Sequence, residues 1–329
     1  MKKKVAVVFT GGTISMKVDD RIAAAIPALS SEEIMSMVTN IDRVANIEIV
    51  NFGSYPGPHM TPDKILKLSK DVQALISRSD IDGVVITHGT DSLEETAYFL
   101  DLNINPSKPI VFVAAMRNGS ELGYDGPSNL SSAICTAISE EAVGKGVLIA
   151  MNNEVNSARE TTKSHTLSLD TFKSMEFGPL GIVDNDRVIF YRSILTHEHI
   201  KTDAIEQKVV LIKACVGMDS NYMHYAITQG IKGFVIEAMG RGNLPPAMVP
   251  GIEAAIQNHL PVIIVSRCAM GRVLDSYGYE GGGKHLRNLG AIFGGNLNGQ
   301  KARIKLMLAL GATSNINAIK HMFEQNDYQ

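Results

Sequence analysis

Three short stretches of this 329-residue chain combine side chains able to do bond chemistry with glycines that let backbone approach a ligand closely. The first is Thr10-Gly11-Gly12-Thr13 and the second is Thr87-His88-Gly89-Thr90-Asp91. The third begins at Ala115-Met116-Arg117 and runs, rich in Gly and Asn, to Asn129. A threonine hydroxyl is a weak nucleophile and needs a nearby base to take its proton. Backbone N–H groups aimed into a water-poor pocket would stabilise the oxyanion that its attack produces. The first two stretches together hold the parts of such a site. On spacing alone, each is also what a tight connection looks like, and Asp91 could merely complement the dipole of a following helix.

The elements that must position these residues are legible as alternating patterns. Apolar, β-branched runs occupy Val5–Phe9, Gly83–Thr87, Pro109–Met116, Val147–Met151, Val209–Val216, Phe234–Met239 and Pro261–Ser266. Their length and two-sided apolar character predict buried parallel strands. Amphipathic helices are predicted near 62–77, 92–102, 128–142, 220–229, 247–259 and 300–310. Ser92 with Glu95 reads as a capping box, Pro127-Ser128 as a helix start, and Gly230 and Gly311 as helix stops. Alternation of this kind implies an α/β fold with parallel sheets, and each of the three chemical stretches then follows a strand end, where open α/β sheets bind ligands.

The length favours two domains. Asp184-Asn-Asp-Arg187 reads as a turn and 196–203 as a polar linker, and the βα pattern restarts at Val209. The expected division is therefore an N-terminal domain over 1–187, a linker over 188–208 and a smaller C-terminal domain over 209–329.

Composition excludes several classes. Hydrophobic content of 45% and charged content of 20% fit a globular protein. With net charge −3 and Lys2-Lys3-Lys4 as the one basic run, no nucleic-acid surface is expected. Val5–Phe9 is too short for a secretory core, and no stretch approaches the roughly 20 apolar residues of a membrane span. Cys135, Cys215 and Cys268 lack metal-type spacing. Cys215 and Cys268 fall in apolar runs, where a thiol acts as a small hydrophobe. An odd count suits a reducing, cytoplasmic compartment.

Thr10-Gly-Gly-Thr-Ile14 followed by Ile86-Thr-His-Gly-Thr-Asp91 resembles the two signature motifs of the bacterial-type L-asparaginases. The similarity continues through Glu94–Leu100, Ala115-Met-Arg117, Asp125-Gly-Pro-Ser-Asn129, Arg159-Glu-Thr-Thr-Lys163, Phe177–Gly181, Gly242-Asn-Leu244 and Leu297–Arg303, nearly the whole chain in order. The resemblance implies a larger N-terminal Rossmann-like domain and a smaller flavodoxin-like one. It also implies hydrolysis of L-asparagine to aspartate and ammonia through a threonyl acyl-enzyme, with no cofactor or metal. Thr13 matches the nucleophile, and Thr90 with Lys163 a second Thr–Lys pair in which a desolvated lysine assists proton transfer. Asp91 matches the residue that binds the substrate α-amino group. Ser54, flanked by Gly53 and Tyr55, matches the residue that grips the α-carboxylate. Asn243 and Glu280 match residues delivered from a neighbouring subunit, with Asp275 a rival to Glu280. A homo-oligomer, usually a tetramer built from two dimers with shared sites, follows from that.

This chain departs from the family pattern at three places. No Tyr lies between Thr13 and Ser54, where members carry one in a mobile loop paired with the nucleophile; residues 15–27 offer Lys17, Asp19, Asp20 and Arg21 instead. Tyr55 stands where many members have Gln. The spacing from Ser266-Arg267 to Glu280 also differs. Among alternatives, L-glutamine as substrate stays open, because one methylene is worth only about 1–3 kcal/mol of discrimination. A tRNA-dependent amidotransferase subunit shares the core but would ordinarily carry extra N-terminal sequence. A nucleotide-binding module is disfavoured because Gly278–Lys284 nearly writes a phosphate loop but is followed by His285. His197-Glu-His199 lacks the spacing of a zinc site, and no Gly-x-Ser-x-Gly marks a serine hydrolase.

Overall fold

In the computed structural model, which describes residues 2–39, 41–195 and 197–325, the chain packs as two units, Met1–His199 and Ile200–Gln329. The strands of the first are β1 (Lys4–Gly11), β2 (Met16–Asp19), β3 (Ala24–Pro27), β4 (Asn46–Tyr55), β5 (Gly83–Thr87), β6 (Ile110–Val113), β7 (Val147–Met151), β8 (Glu154–Ser157), β9 (Thr161–Lys163), β10 (Phe172–Ser174), β11 (Gly181–Asp184) and β12 (Arg187–Phe190). Its helices are α1 (Ser31–Ser36), α2 (Ile41–Val44), α3 (Pro62–Ser77), α4 (Leu93–Asn103) and α5 (Gly126–Ile138). Among the described residues an eight-stranded sheet runs in the order β12-β11-β8-β7-β6-β5-β1-β4. From β4 to β7 it is parallel, and β8, β11 and β12 extend it antiparallel.

Val5, Ala6 and Val7 of β1, and Val84, Val85 and Ile86 of β5, are fully buried, as a two-sided parallel sheet requires. The parallel strands follow the order second, first, third, fourth, fifth, so winding reverses between β1 and β5. That reversal opens a crevice at the strands' carboxyl ends, the usual ligand position in doubly wound sheets. Thr10–Thr13 and Thr87–Asp91 lie at the carboxyl ends of these two neighbouring strands.

Local capping differs in part from the sequence reading. α3 begins as its residues suggest, with Pro62 in the first turn and the Thr61 hydroxyl accepting from the Lys64 N–H. Ser92 makes no such cap; its hydroxyl donates to the Gly57 carbonyl at 2.7 Å. A capping box occurs instead at Ser30, whose hydroxyl accepts the Glu33 N–H while Glu33 accepts the Ser30 N–H. Asp184–Arg187 is a hairpin turn with Asn185 at φ 56°, and β12 occupies the first residues of the stretch read as a linker.

The second unit holds β13 (Val209–Lys213), β14 (Gly233–Ala238), β15 (Val262–Ser266) and β16 (Ile292–Phe293) in sequential parallel order. Its helices are α6 (Asn221–Thr228), α7 (Val249–Gln257), α8 (Gly283–Leu289), α9 (Gly299–Ala312) and α10 (Ile316–Glu324). Gly311 does not stop α9, which runs on through Ala312. A Cβ there would lie 2.2 Å from the Ala204 carbonyl oxygen, so glycine serves close approach of two chain segments. Cys215 and Cys268 are exposed rather than packed as small hydrophobes, while Cys135 is buried. Among the described residues no helix is long and apolar enough to cross a membrane.

Candidate active site

Thr13 is placed by backbone. Gly11 at φ +107° and Gly12 at φ +89° adopt conformations that side chains oppose. A Cβ on Gly11 would lie 2.3 Å from the Tyr55 nitrogen, and one on Gly12 would lie 2.5 Å from the Gly89 nitrogen. The strand end therefore lies directly against the ends of β4 and β5. The Gly12 N–H donates to the Tyr55 carbonyl at 3.0 Å, and Ser15 returns its N–H and its hydroxyl to the Gly12 carbonyl. Thr13 then opens a single 3-10 turn over Thr13–Ser15, half-buried, and its hydroxyl has no protein partner among the described residues.

Thr90 is placed by side chains. Its hydroxyl accepts from the Lys163 ammonium at 3.0 Å, and the same ammonium reaches the Asp91 carboxylate at 2.6 Å. Thr90 is buried, Lys163 largely so, and the Asp91 side chain is 63% exposed and available to solvent or a ligand. Lys163 lies at the end of the short strand β9, held there by Glu94, whose carboxylate accepts the Lys163 N–H at 3.4 Å and the Thr162 hydroxyl at 3.1 Å. A cavity of about 350 Å³ is lined by Asp91, Glu94, Lys163 and the following Ser164–Thr166.

His88 does not face this network as a catalytic base. It is fully buried, its Nδ1 lies 2.9 Å from the Gly89 carbonyl, and burial pushes its pKa down to about 4. A neutral ring donating through Nδ1 fits that contact. It braces the backbone of the second motif.

The third side of the crevice is the end of β4. A Cβ on Gly89 would lie 2.6 Å from the Gly57 Cα, so the loop after β4 packs on the loop after β5. Gly53 leaves room for the Tyr55 ring, whose Cε2 would lie 2.3 Å from a Cβ at that position. The Lys64 ammonium stands 4.1 Å above the same ring. Ser54 is exposed and borders, with Gly11, Ser15 and Gly53, a cavity of about 370 Å³. Gly12, Gly57 and Gly89 thus bring three loops together backbone to backbone, with Thr13, Ser54, Tyr55, Thr90, Asp91 and Lys163 around them.

Asn243 and Glu280 lie in the second unit, on adjoining loops. The Asn243 carbonyl oxygen of the side chain accepts the Gly283 N–H at 3.2 Å, and the Leu244 N–H donates to the Gly281 carbonyl at 2.8 Å. Glu280 is exposed and makes no ion pair among the described residues. Its rival Asp275 is occupied by Lys284 at 3.3 Å and Arg287 at 3.2 Å. Burial works against the Asp275 charge, yet these two cations hold its pKa below the ordinary value.

Glu94, Ser92 and Gly57 were not singled out as site residues by the sequence reading. A carboxylate in the first turn of a helix, three residues past a motif, is the signal that marks Glu94. His197-Glu-His199 has a structural account instead: Glu198 is buried and accepts the Tyr98 hydroxyl at 3.2 Å, and His199 contacts the Asn103 carbonyl.

Comparison with known families places the chain. The family model described as asparaginase, N-terminal, matches residues 4–196, and that of the glutaminase/asparaginase C-terminal domain matches residues 208–323. The chain belongs to the asparaginase family. Among members, an L-asparaginase of Bacillus licheniformis is 33% identical over 95% of this chain and 97% of the relative. L-asparaginase 2 of Escherichia coli is 31% identical over 98% and 92%. A crystal structure of a probable cytoplasmic L-asparaginase from Campylobacter jejuni superposes with a TM-score of 0.88 at 32% identity, covering 98% of this chain and 99% of that one. Like these members, the chain has two α/β units with mostly parallel sheets.

Proposed function

We propose that the chain is an L-asparaginase that hydrolyses L-asparagine to L-aspartate and ammonia through an acyl-enzyme on Thr13. The observation that carries the reading is the Lys163–Thr90–Asp91 network beside the glycine-packed Thr13 turn, at the point where the sheet reverses its winding. The Thr13 Oγ1 attacks the side-chain amide carbon, an O–C bond forms, and the C–N bond breaks as nitrogen takes a proton and leaves as ammonia. Water then attacks the ester, releasing aspartate and returning a proton to Thr13. The Lys163–Thr90 pair passes the proton from the Thr13 hydroxyl toward the leaving nitrogen, because its amine and hydroxyl are hydrogen-bonded at 3.0 Å within the crevice. The Thr90 N–H, which has no protein acceptor among the described residues, is the oxyanion donor.

Asp91 binds the α-amino group and Ser54, with Gly53 and Tyr55, the α-carboxylate, so the amide is held against Thr13 by both ends of the amino acid. Asn243 and Glu280 act in a neighbouring copy's site, which makes a homo-oligomer, a tetramer built from dimers, the working unit. The free carboxylate of Glu280 and the exposed apolar side chains of the second unit, Val216 at 91% among them, support that assembly. The three free cysteines, two of them exposed, support a reducing cytoplasmic setting.

Ammonia release from L-asparagine and L-glutamine, measured in parallel for wild type and Thr13→Ala, tests the reading. Turnover of asparagine that vanishes in Thr13→Ala is the expected result. Full activity in that variant would remove the nucleophile assignment, and comparable efficiency on glutamine would make the enzyme a mixed amidohydrolase.

A further inference from the structure

Glycines fix the entry to the Thr13 turn; its exit is fixed from elsewhere in the sequence. The Tyr124 hydroxyl donates to the Ile14 carbonyl at 2.5 Å, across 110 residues, and Ile14 is fully buried. The ring has a place made for it, since a Cβ on Gly126 would lie 2.4 Å from the Tyr124 Cζ and hydroxyl oxygen. Two more ties join the same loop to the segment after the turn: the Gly119 N–H donates to the Met16 carbonyl at 2.8 Å, and the Val18 N–H to the Ser120 hydroxyl at 3.1 Å. That loop is itself anchored, because Asp125 accepts the Met116 and Arg117 N–H groups at 3.0 and 2.9 Å. A lone 3-10 turn has too few internal bonds to hold a hydroxyl in one orientation.

We propose that Tyr124 is a positioning residue for the nucleophile, holding the Thr13 turn through the Ile14 carbonyl. The inference rests on Thr13 being the nucleophile. The role needs a phenol that stays protonated, and burial together with the Asp125 carboxylate pushes the Tyr124 pKa well up. Without the bond the turn gains freedom, and Thr13 spends less time aligned with the amide, which lowers turnover more than binding.

The test compares wild type, Thr13→Ala, Tyr124→Phe and Gly126→Ala by steady-state kinetics on L-asparagine, with L-aspartate affinity and melting temperature measured alongside. For Tyr124→Phe the expected result is a fall in kcat of about tenfold with KM and aspartate affinity within about twofold. Gly126→Ala keeps the phenol but displaces its ring, and kcat falls at least as far. A Tyr124→Phe kcat within twofold of wild type, while Thr13→Ala is inactive, overturns the positioning role alone. Losses in kcat and affinity that merely track a lower melting temperature overturn it too, as marks of a structural bond. Activity in Thr13→Ala removes the nucleophile reading and the positioning role with it.

Discussion

Thr13 and Thr90 leave neighbouring strands of one sheet, yet Thr13 is held by backbone against backbone and Thr90 by a chain of charged side chains. Around Thr13, Gly11 and Gly12 abut Tyr55 and Gly89, and the hydroxyl itself has no protein partner among the described residues. Around Thr90, Lys163 donates to the hydroxyl, and Asp91 and Glu94 hold that lysine in place. In the proposed reaction the group that attacks a carbon needs its lone pair unclaimed, so its placement falls to the backbone. The group proposed to relay a proton works through the hydrogen bond it already makes, so side chains can hold it.

Breaking the side-chain half is expected to have the largest effect on turnover. Lys163→Met removes the donor to Thr90 and to Asp91 together, and kcat on L-asparagine should fall about 10³-fold, the scale of lost proton transfer. The melting temperature should change little, because the Lys163 bonds face the partly open crevice. Retention of more than a tenth of wild-type kcat would break the comparison. Gly12→Ala attacks the backbone half, where a methyl group at φ +89° meets the Gly89 nitrogen at 2.5 Å. A turn displaced by a fraction of an ångström should lower kcat about 10²-fold. Here the melting temperature should fall as well, since the clash is with main chain that cannot swing aside. A variant with normal melting and normal kcat would show that the turn is softer than its packing implies.

What was legible in the sequence follows the same division. β5 and β7 were read to the residue because they are buried on both faces and apolar but for the closing Thr87 of β5. β4 was not read at all: it is the sheet's edge, half-exposed, and alternates Asn46, Glu48 and Asn51 with apolar residues. It nevertheless carries Gly53, Ser54 and Tyr55, found only through resemblance. Thr13, Thr90 and Asp91 stood out because glycines and hydroxyls cluster locally. Lys163 meets Thr90 across 73 residues, Ser92 meets Gly57 across 35, and no local pattern records such pairings. Ser92 shows the limit well, for a serine three residues before a glutamate is the right spelling of a helix cap, and tertiary structure claimed its hydroxyl for another carbonyl.

His88 sharpens the comparison from beneath, since its ring braces the Gly89 backbone that both halves share. Its pKa of about 4 in the fold, against about 6.5 for an unfolded chain, means that unfolding takes up a proton between those values. Stability is therefore unaffected above pH 6.5 and declines as pH falls toward 4. Linkage puts the His88 contribution to that decline at about 2 kcal/mol by pH 5. In His88→Asn, whose amide can still donate to the Gly89 carbonyl, the difference in unfolding free energy between pH 7 and pH 5 should shrink by about that amount. Denaturant titrations at the two pH values measure it, and an unchanged difference would mean that His88 is not the group responsible.

The smallest expected effect separates a helix cap from a loop tie. Ser30→Ala removes one partner of a capping box remote from the glycine contacts, and should cost about 1 kcal/mol of stability while leaving kcat as it was. Ser92→Ala removes the bond to the Gly57 carbonyl, in the loop that packs on Gly89 and lies against Asp91. Its stability cost should be similar, about 1 kcal/mol. Its kcat, however, should drop about threefold, because the loop that follows β4 and Ser54 loses a tie to the start of the helix that carries Glu94. Denaturant midpoints and asparagine turnover on the two variants read both quantities. If both serines move stability and neither moves kcat, the Ser92 bond is structural and packing alone sets the Gly57 geometry that turnover needs, so the backbone half of the site reaches further around the crevice than the Thr13 turn.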